Sequence, residues 1–409
     1  MPCLLRRRRG LFLNADKAVS RRNFMCLRTA WRNPRMPFSV CALKHCKSLG
    51  SEPGVLADGA GVSGSTDQEH FVMSKAHPPK VGGMAEGPLV TVVMCVYNAG
   101  KYFRPSLLSI INQTYRNLDI LIVDDGSSDG CFSSVQDLLV DERVRVIHQA
   151  NSGKPVAVNR ALDRIRGEFY AIQDADDISY PTRIEKQVRA LLNGPHLAAV
   201  FCGNELIINE RFMAPVFSPK SESDCQSEIR AFQMPALDPT GMFRMSLVGD
   251  IRFEPSLMVA ETCDYIWRIG EVHPMIVLGE CLYAYRILPN SLSRRAPTWR
   301  KQFEVDVFRR ACERRGLRFE QGCADAMCGY RGSNNSLLDN NIAAHFIKSV
   351  LDWRRSNRRL SALKTGWQCA RLHPADPHYY KALVYALISP SVASRLRRDF
   401  LATPLETTK

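Results

Sequence analysis

The chain has no apolar run of about 18 residues, the length a membrane-spanning helix requires. This argues against a polytopic synthase that surrounds its catalytic domain with membrane helices. There is no Cys-x-x-Cys pair among the 14 cysteines. Cys323 and Cys328 have no His at zinc-ligand spacing, so a structural zinc site is not expected. The scattered cysteines suit a reducing compartment, and Cys95, Cys202 and Cys281 stand in apolar runs, as small core residues do. No Gly-x-Gly-x-x-Gly follows an apolar strand pattern, which disfavours a dinucleotide oxidoreductase. The basic stretches Arg6–Arg9 and Ser20–Phe24 lead into no long apolar segment, so no export signal is expected.

The charge is uneven. Lys and Arg outnumber Asp and Glu by 14 to 6 in residues 1–87 and by 22 to 10 in 294–409. In 88–293 the balance reverses, 19 against 25. An acidic centre between basic flanks argues against a nucleic-acid-binding core and suits contact of the flanks with an anionic membrane surface. Residues 50–87 are rich in Gly, Ser and Pro without periodicity, and 1–87 as a whole is expected to be disordered. A folded domain is expected over 88–295 and a basic helical region over 296–409.

From Pro88 onward the pattern alternates. Strands are expected at 90–96, 119–123, 143–148, 169–173 and 197–202. Helices are expected between them at about 102–113, 131–140, 154–165 and 181–193. Farther on, a helix is expected near 262–270 and a strand near 276–285. Such alternation predicts an α/β, mostly parallel, Rossmann-like sheet with flanking helices. Ligands of such sheets bind at the carboxyl ends of the strands. Two of these ends carry acid clusters. Ile120–Val123 runs into Asp124 and Asp125, and Phe169–Ile172 runs into Asp174, Asp176 and Asp177. Packed carboxylates repel one another unless a cation or a hydrogen-bonding ligand sits among them. A divalent metal and a nucleotide are the expected contents.

The ordered blocks TVVMCVYNAGKYFRPSLLSIINQTYRNLDILIVDDGSSD, NSGKPVAVNRAL, QDADDISYPTRIEKQ, AETCDYIWRI and YRILPNSLS resemble the family 2 glycosyltransferases with a GT-A-type nucleotide-sugar domain. The resemblance covers roughly residues 88–293. It implies transfer of a sugar from a nucleotide diphosphate donor, a UDP-sugar, to an acceptor hydroxyl with inversion. It also implies Mg or Mn as cofactor, a glycan or lipid-linked acceptor of cell-surface polysaccharide biosynthesis, and a cytoplasmic protein peripheral to the inner membrane face. By the same resemblance, Tyr97 and Asn98 would contact the nucleotide, and Asp124 or Asp125 would accept a hydrogen bond from the base. Lys154 would reach a phosphate with Asn159 nearby. Asp176 would ligate the metal with Asp174 in support, and Arg286 would keep a positive charge near the diphosphate.

Three positions depart from the family pattern. Val158 stands where Arg or a related residue usually precedes Asn159. The general base is usually the Asp of a Glu-Asp pair six residues before an Arg. Counting back from Arg268 gives Thr262, which cannot act as a base at neutral pH. Glu261 and Asp264 are the candidate replacements, with Glu261 preferred because it adjoins Thr262. Leu288 stands where a His often follows Arg286. These departures leave open a second reading, a catalytically decayed nucleotide-sugar-binding protein. A nucleotidyltransferase ranks below both, because Tyr97–Gly100 is not the Gly-rich basic loop such enzymes place after the first strand.

Overall fold

In β1 (Val90–Val96), Val90, Val92, Met94 and Val96 face one hydrophobic layer, and Val93 faces the other. A strand buried on both faces must be apolar at every step, which is why these runs do not alternate with polar residues. The computed structural model describes residues 87–288, 297–321 and 336–388. The expected disordered segment lies outside these residues, apart from Gly87.

Among the described residues the sheet has nine strands. β1 pairs in parallel with β2 (Leu118–Asp124) and with β4 (Phe169–Asp174), and β3 (Val144–His148) pairs in parallel with β2. The register aligns Val96 with Asp124 and Cys95 with Asp174, so both acid clusters leave the sheet at one edge. β5 (Ile178–Ser179), β6 (Ala199–Ile208), β7 (Arg211–Met213), β8 (Met242–Arg244) and β9 (Met275–Arg286) complete the sheet. The order is β3-β2-β1-β4-β8-β6-β9-β5, with β7 paired to β6. The parallel arrangement holds from β3 to β4. Beyond it the sheet is mixed, because β8 enters antiparallel between β4 and β6.

Helices cover the sheet. α1 (Phe103–Ile111) and α3 (Arg183–Asn193) pack on one side, with Ile184, Val188 and Leu191 of α3 spaced along one face. α2 (Lys154–Leu162) and α5 (Glu261–Val272) pack on the other, and α4 (Glu222–Arg230) contributes Cys225 and Ile229 to the same core as α5. The helix expected at 131–140 is instead a short 3₁₀ turn, Cys131–Val135, followed by turns. Ser134 donates its hydroxyl to the Cys131 carbonyl, a local bond of the kind that competes with an α-helical ladder.

The C-terminal region is helical as expected. α6 (Pro297–Arg314) joins the α5 core through Val305, Phe308 and Ala311. α7 (Ser336–Arg355), α8 (Arg359–Leu372) and α9 (Pro377–Leu387) form a further core with Leu206, Ile208 and Met213 of β6 and β7. Asp352 fastens α7 to the segment after β7 by accepting the N–H groups of Phe217 and Ser218 at 2.9 and 3.1 Å. No helix of the described residues is long and apolar enough to cross a membrane. Cys95, Cys202 and Cys281 are free thiols, and burial pushes the first two up to about 12 and 11. They are inert at neutral pH, as their apolar sequence context implies.

Candidate active site

Two turns are stitched together beside the ends of β1 and β2. Asn98 adopts a left-handed backbone (φ 51°), a conformation Asn tolerates. Its Oδ1 accepts from the Ser128 and Asp129 N–H groups at 2.8 and 3.2 Å. Asp129 in return accepts from Gly100 N–H at 2.7 Å. Asn98 thus shapes the rim, and Tyr97 beside it presents an exposed ring.

Asp124 and Asp125 have internal partners. Asp124 accepts from Ser127 N–H at 2.8 Å and lies 2.9 Å from Nδ1 of His148. Asp125 accepts from Gln149 Nε2, Ser152 N–H and Gly153 N–H at 2.7 to 2.9 Å. It therefore folds the 149–153 loop against the end of β2. Gly126 is required here: its φ is +80°, and a Cβ would come within 2.8 Å of Asn151 N.

The 149–153 loop launches α2, whose first residue is Lys154. Its Nζ lies 3.1 Å from Asp174 Oδ1 and 3.5 Å from Asp238 Oδ2. Burial works against the charge. Asp174, Asp238 and Glu261 outweigh that cost, and the ammonium's pKa stands well above its usual value. In this structure Lys154 is the counter-ion of an acidic cluster. Asn159, expected beside the phosphate, faces elsewhere. Its amide donates to the Phe253 carbonyl at 2.7 Å and accepts from Phe253 N–H at 2.8 Å, clamping that segment.

The turn after β4 is held from below. Asp177 is fully buried and accepts from Tyr283 Oη at 2.9 Å and Arg286 N–H at 2.7 Å. Tyr283 also accepts the Asp174 N–H at 3.3 Å. Arg286 donates from Nε to the Asp176 carbonyl at 2.7 Å, pairs with Glu210 at 2.6 Å and stacks over Tyr102. Its charge is at the site, but its guanidinium braces the turn.

The Asp176 carboxylate receives no hydrogen bond from another described residue. Burial, then the neighbouring Asp174 charge, push it up to about 6. Among the described residues no three acidic, His or Cys side chains are grouped to hold a metal. Two carboxylates, Asp174 and Asp176, are nonetheless a fitting protein contribution for Mg or Mn when substrate phosphates supply the remaining oxygens.

The two candidate bases separate clearly. Glu261 opens α5 directly after Ala260, whose φ is +60°. Burial raises its pKa to about 7, opposed by the Lys154 charge and reinforced by Asp238 and Asp174. It is therefore buried within electrostatic reach of the cluster. Asp264 is one turn farther and is held between Arg268 and Arg314, each at 2.9 Å. That carboxylate is an internal strut.

Sequence reasoning missed Asp238 and Arg183. Asp238 sits in a short 3₁₀ turn, Asp238–Thr240, in a region that reads as irregular. Arg183 is fully buried and donates to the carbonyls of Ile172, Pro239 and Gly241, tying the Asp238 turn to β4. The available signal was a charged residue at an α3 position in line with Gln187, on the face that also carries the apolar residues.

Comparison with known proteins adds the following. The Glycosyl transferase family 2 model matches residues 91–246. An uncharacterized glycosyltransferase of Haemophilus influenzae is 39% identical over 129 residues, 31% of this chain and 40% of that protein. The putative teichuronic acid biosynthesis glycosyltransferase TuaG of Bacillus subtilis is 28% identical over 209 residues, 50% of this chain and 82% of that protein. Among solved structures, S. aureus TarS is 18% identical with a TM-score of 0.47, covering 72% of this chain and 55% of that one. The mannosyltransferase PcManGT from Pyrobaculum calidifontis, in complex with GDP-Man and Mn2+, is 18% identical with a TM-score of 0.46, covering 80% and 92%. The chain thus spans less than half the length of the Haemophilus relative.

Proposed function

We propose that the chain moves one sugar from a UDP-sugar to an acceptor hydroxyl with inversion, a reading supported by the match of residues 91–246 to the Glycosyl transferase family 2 model. The observation that carries this reading is the position of Glu261. It is a buried carboxylate with a pKa near neutrality, opening a helix within electrostatic reach of Lys154, Asp174 and Asp238. A general base works best when its pKa lies near the working pH. Glu261 takes the proton of the acceptor hydroxyl as that oxygen attacks the sugar carbon from the face opposite the leaving diphosphate.

The other residues bind and orient. The exposed Tyr97 ring offers a face to the base. Lys154 sits at a helix N-terminus, where backbone N–H groups favour an anion, and turns its ammonium to the diphosphate when the donor enters. Asp176 and Asp174 would hold Mg or Mn, which would supply positive charge to offset that of the diphosphate. Asp177, Tyr283 and Arg286 fix the Asp174–Asp176 turn from beneath. An acceptor of cell-surface glycan synthesis is in keeping with the teichuronic acid biosynthesis named for the relative TuaG. A lipid-linked acceptor would put the protein on the inner membrane face.

The test is a screen of nucleotide sugars for thermal stabilisation, with and without Mn2+. Ligand at a hundredfold excess over Kd adds about 2.7 kcal/mol to stability. Stabilisation by no nucleotide sugar would overturn the reading. Donor binding without turnover, with activity appearing only in Thr262→Asp, would identify the decayed alternative.

A further inference from the structure

Twelve large hydrophobic side chains are exposed among the described residues, and five of them fall on α8 and α9. On α8 these are Leu360 and Trp367, 83% and 55% exposed. On α9 they are Tyr380, Val384 and Leu387. Tyr379 is fully buried in the core shared with β6 and β7. The exposed stripe is its neighbour on the helix, Tyr380, followed at helical spacing by Val384 and Leu387.

The two stripes share one side of the hairpin. Residues 373–376 join α8 to α9, so the helices run antiparallel. They touch where Gly366 meets Leu383: a Cβ on Gly366 would lie 2.7 Å from the Leu383 Cα. Trp367 follows Gly366 by one residue, and Val384 follows Leu383 by one. Each step is a turn of about 100°. In antiparallel helices that same step carries both side chains to the same side.

Basic residues border this surface. Arg358, Arg359, Lys364 and Arg371 are all exposed, and Lys364 and Arg371 lie in line with Leu360 and Trp367 at helical spacing. Neither α8 nor α9 contains an acidic residue. Asp376, in the connection between them, caps α9 by accepting the His378 N–H. Aromatic and aliphatic side chains bordered by Lys and Arg match the chemistry of a bilayer interface, where rings sit at headgroup depth and cations meet anionic lipid.

We propose that the Leu360–Trp367–Tyr380–Val384–Leu387 face of α8 and α9 docks on an anionic lipid bilayer. It lies outside the family match at 91–246 and does not depend on the catalytic reading.

The test is co-sedimentation of the full chain with phosphatidylcholine vesicles, with and without phosphatidylglycerol. Binding is expected only with phosphatidylglycerol and should weaken as salt rises. Lys364→Gln and Arg371→Gln should each weaken it about fivefold. Trp367→Ser should weaken it without changing the melting temperature, because that side chain is exposed. In the wild type, brominated lipids should quench tryptophan emission, and Trp367→Phe should remove that quenching. Binding to neutral vesicles alone overturns the proposal. So does binding undiminished in the Lys364→Gln/Arg371→Gln variant, which would point to the basic termini. Concentration-dependent dimerisation that Trp367→Ser abolishes, without lipid binding, would assign the face to a second copy of the chain. Donor binding measured on the same variants should remain at the wild-type level.

Discussion

The Lys154 ammonium stands 3.1 Å from Asp174 and 3.5 Å from Asp238, so a single cation bridges the end of β4 and the turn before β8. Its charge also lowers the pKa of Glu261 against the effect of burial. Lys154→Met should therefore raise the Glu261 pKa above its present value near 7. The acid limb of the pH–rate profile is expected to move to higher pH, and donor affinity should fall. An unmoved acid limb would show that Lys154 does not act on the base. Methionine keeps most of the side chain's length, so packing alone should not mimic the shift.

Glu261 should govern that limb. The wild-type rate is expected to rise as pH increases through about 7, because only the carboxylate accepts a proton. Glu261→Gln should lower turnover by about 10²–10⁴-fold with donor affinity unchanged. Stability should respond in the opposite direction. A carboxyl whose pKa is raised by folding binds more protons in the folded state than in the unfolded state, between 4.5 and about 7. Its stabilising contribution is complete below that window and is lost as pH rises through it. Gln carries no charge to bury, so Glu261→Gln should gain in melting temperature relative to wild type across that interval. A variant with full turnover, or one with no relative gain, would remove Glu261 from the role.

Asp264 offers the control. It is buried between Arg268 and Arg314. Arg314 keeps its pair with Glu271, so losing this buried charged acceptor costs on the order of 1–3 kcal/mol. Asp264→Asn should lower the melting temperature by several degrees and leave the position of the acid limb unchanged. A shifted limb with unchanged stability would exchange the roles of Asp264 and Glu261.

The parallel half of the fold was legible because β1, β2 and β4 are mostly apolar runs and β2 and β4 end in acids. β8 was not, because three residues, Met242–Arg244, carry too little periodicity to signal a strand. The same limit hid the site's other half. Asp174 and Asp176 announce themselves by following a strand. Asp238 reaches Lys154 only through a turn whose placement depends on Arg183, a contact distant in sequence. Asn159 shows the converse error. Its residue type and spacing suited a phosphate, yet Phe253, 94 positions away, takes both ends of its amide. Chemistry encoded within one strand and its turn could be read, whereas chemistry assembled across the fold could not.

Asp176 and Asp177 are neighbours with opposite surroundings. Asp176 has a carboxylate that no other described residue hydrogen-bonds, with a pKa near 6. Asp177 is fully buried and holds Tyr283 and Arg286. Asp176→Asn is isosteric and removes one negative charge. It should leave the melting temperature at or above that of wild type at neutral pH, since no hydrogen bond from another described residue is lost and a buried negative charge is removed, and abolish the enhancement of UDP affinity by Mn2+. Asp177→Ala should do the reverse at first. Losing the acceptor for the buried Tyr283 hydroxyl and the Arg286 N–H costs on the order of 1–3 kcal/mol each. The melting temperature should drop, and UDP affinity should weaken equally with and without Mn2+, because the turn carrying Asp174 and Asp176 loosens as a whole. Calorimetric titration of both variants with UDP, in Mn2+ and in chelator, separates these outcomes. Equal Mn2+ enhancement in wild type and Asp176→Asn would exclude Asp176 as the ligand, and full stability in Asp177→Ala would exclude the supporting role of Asp177.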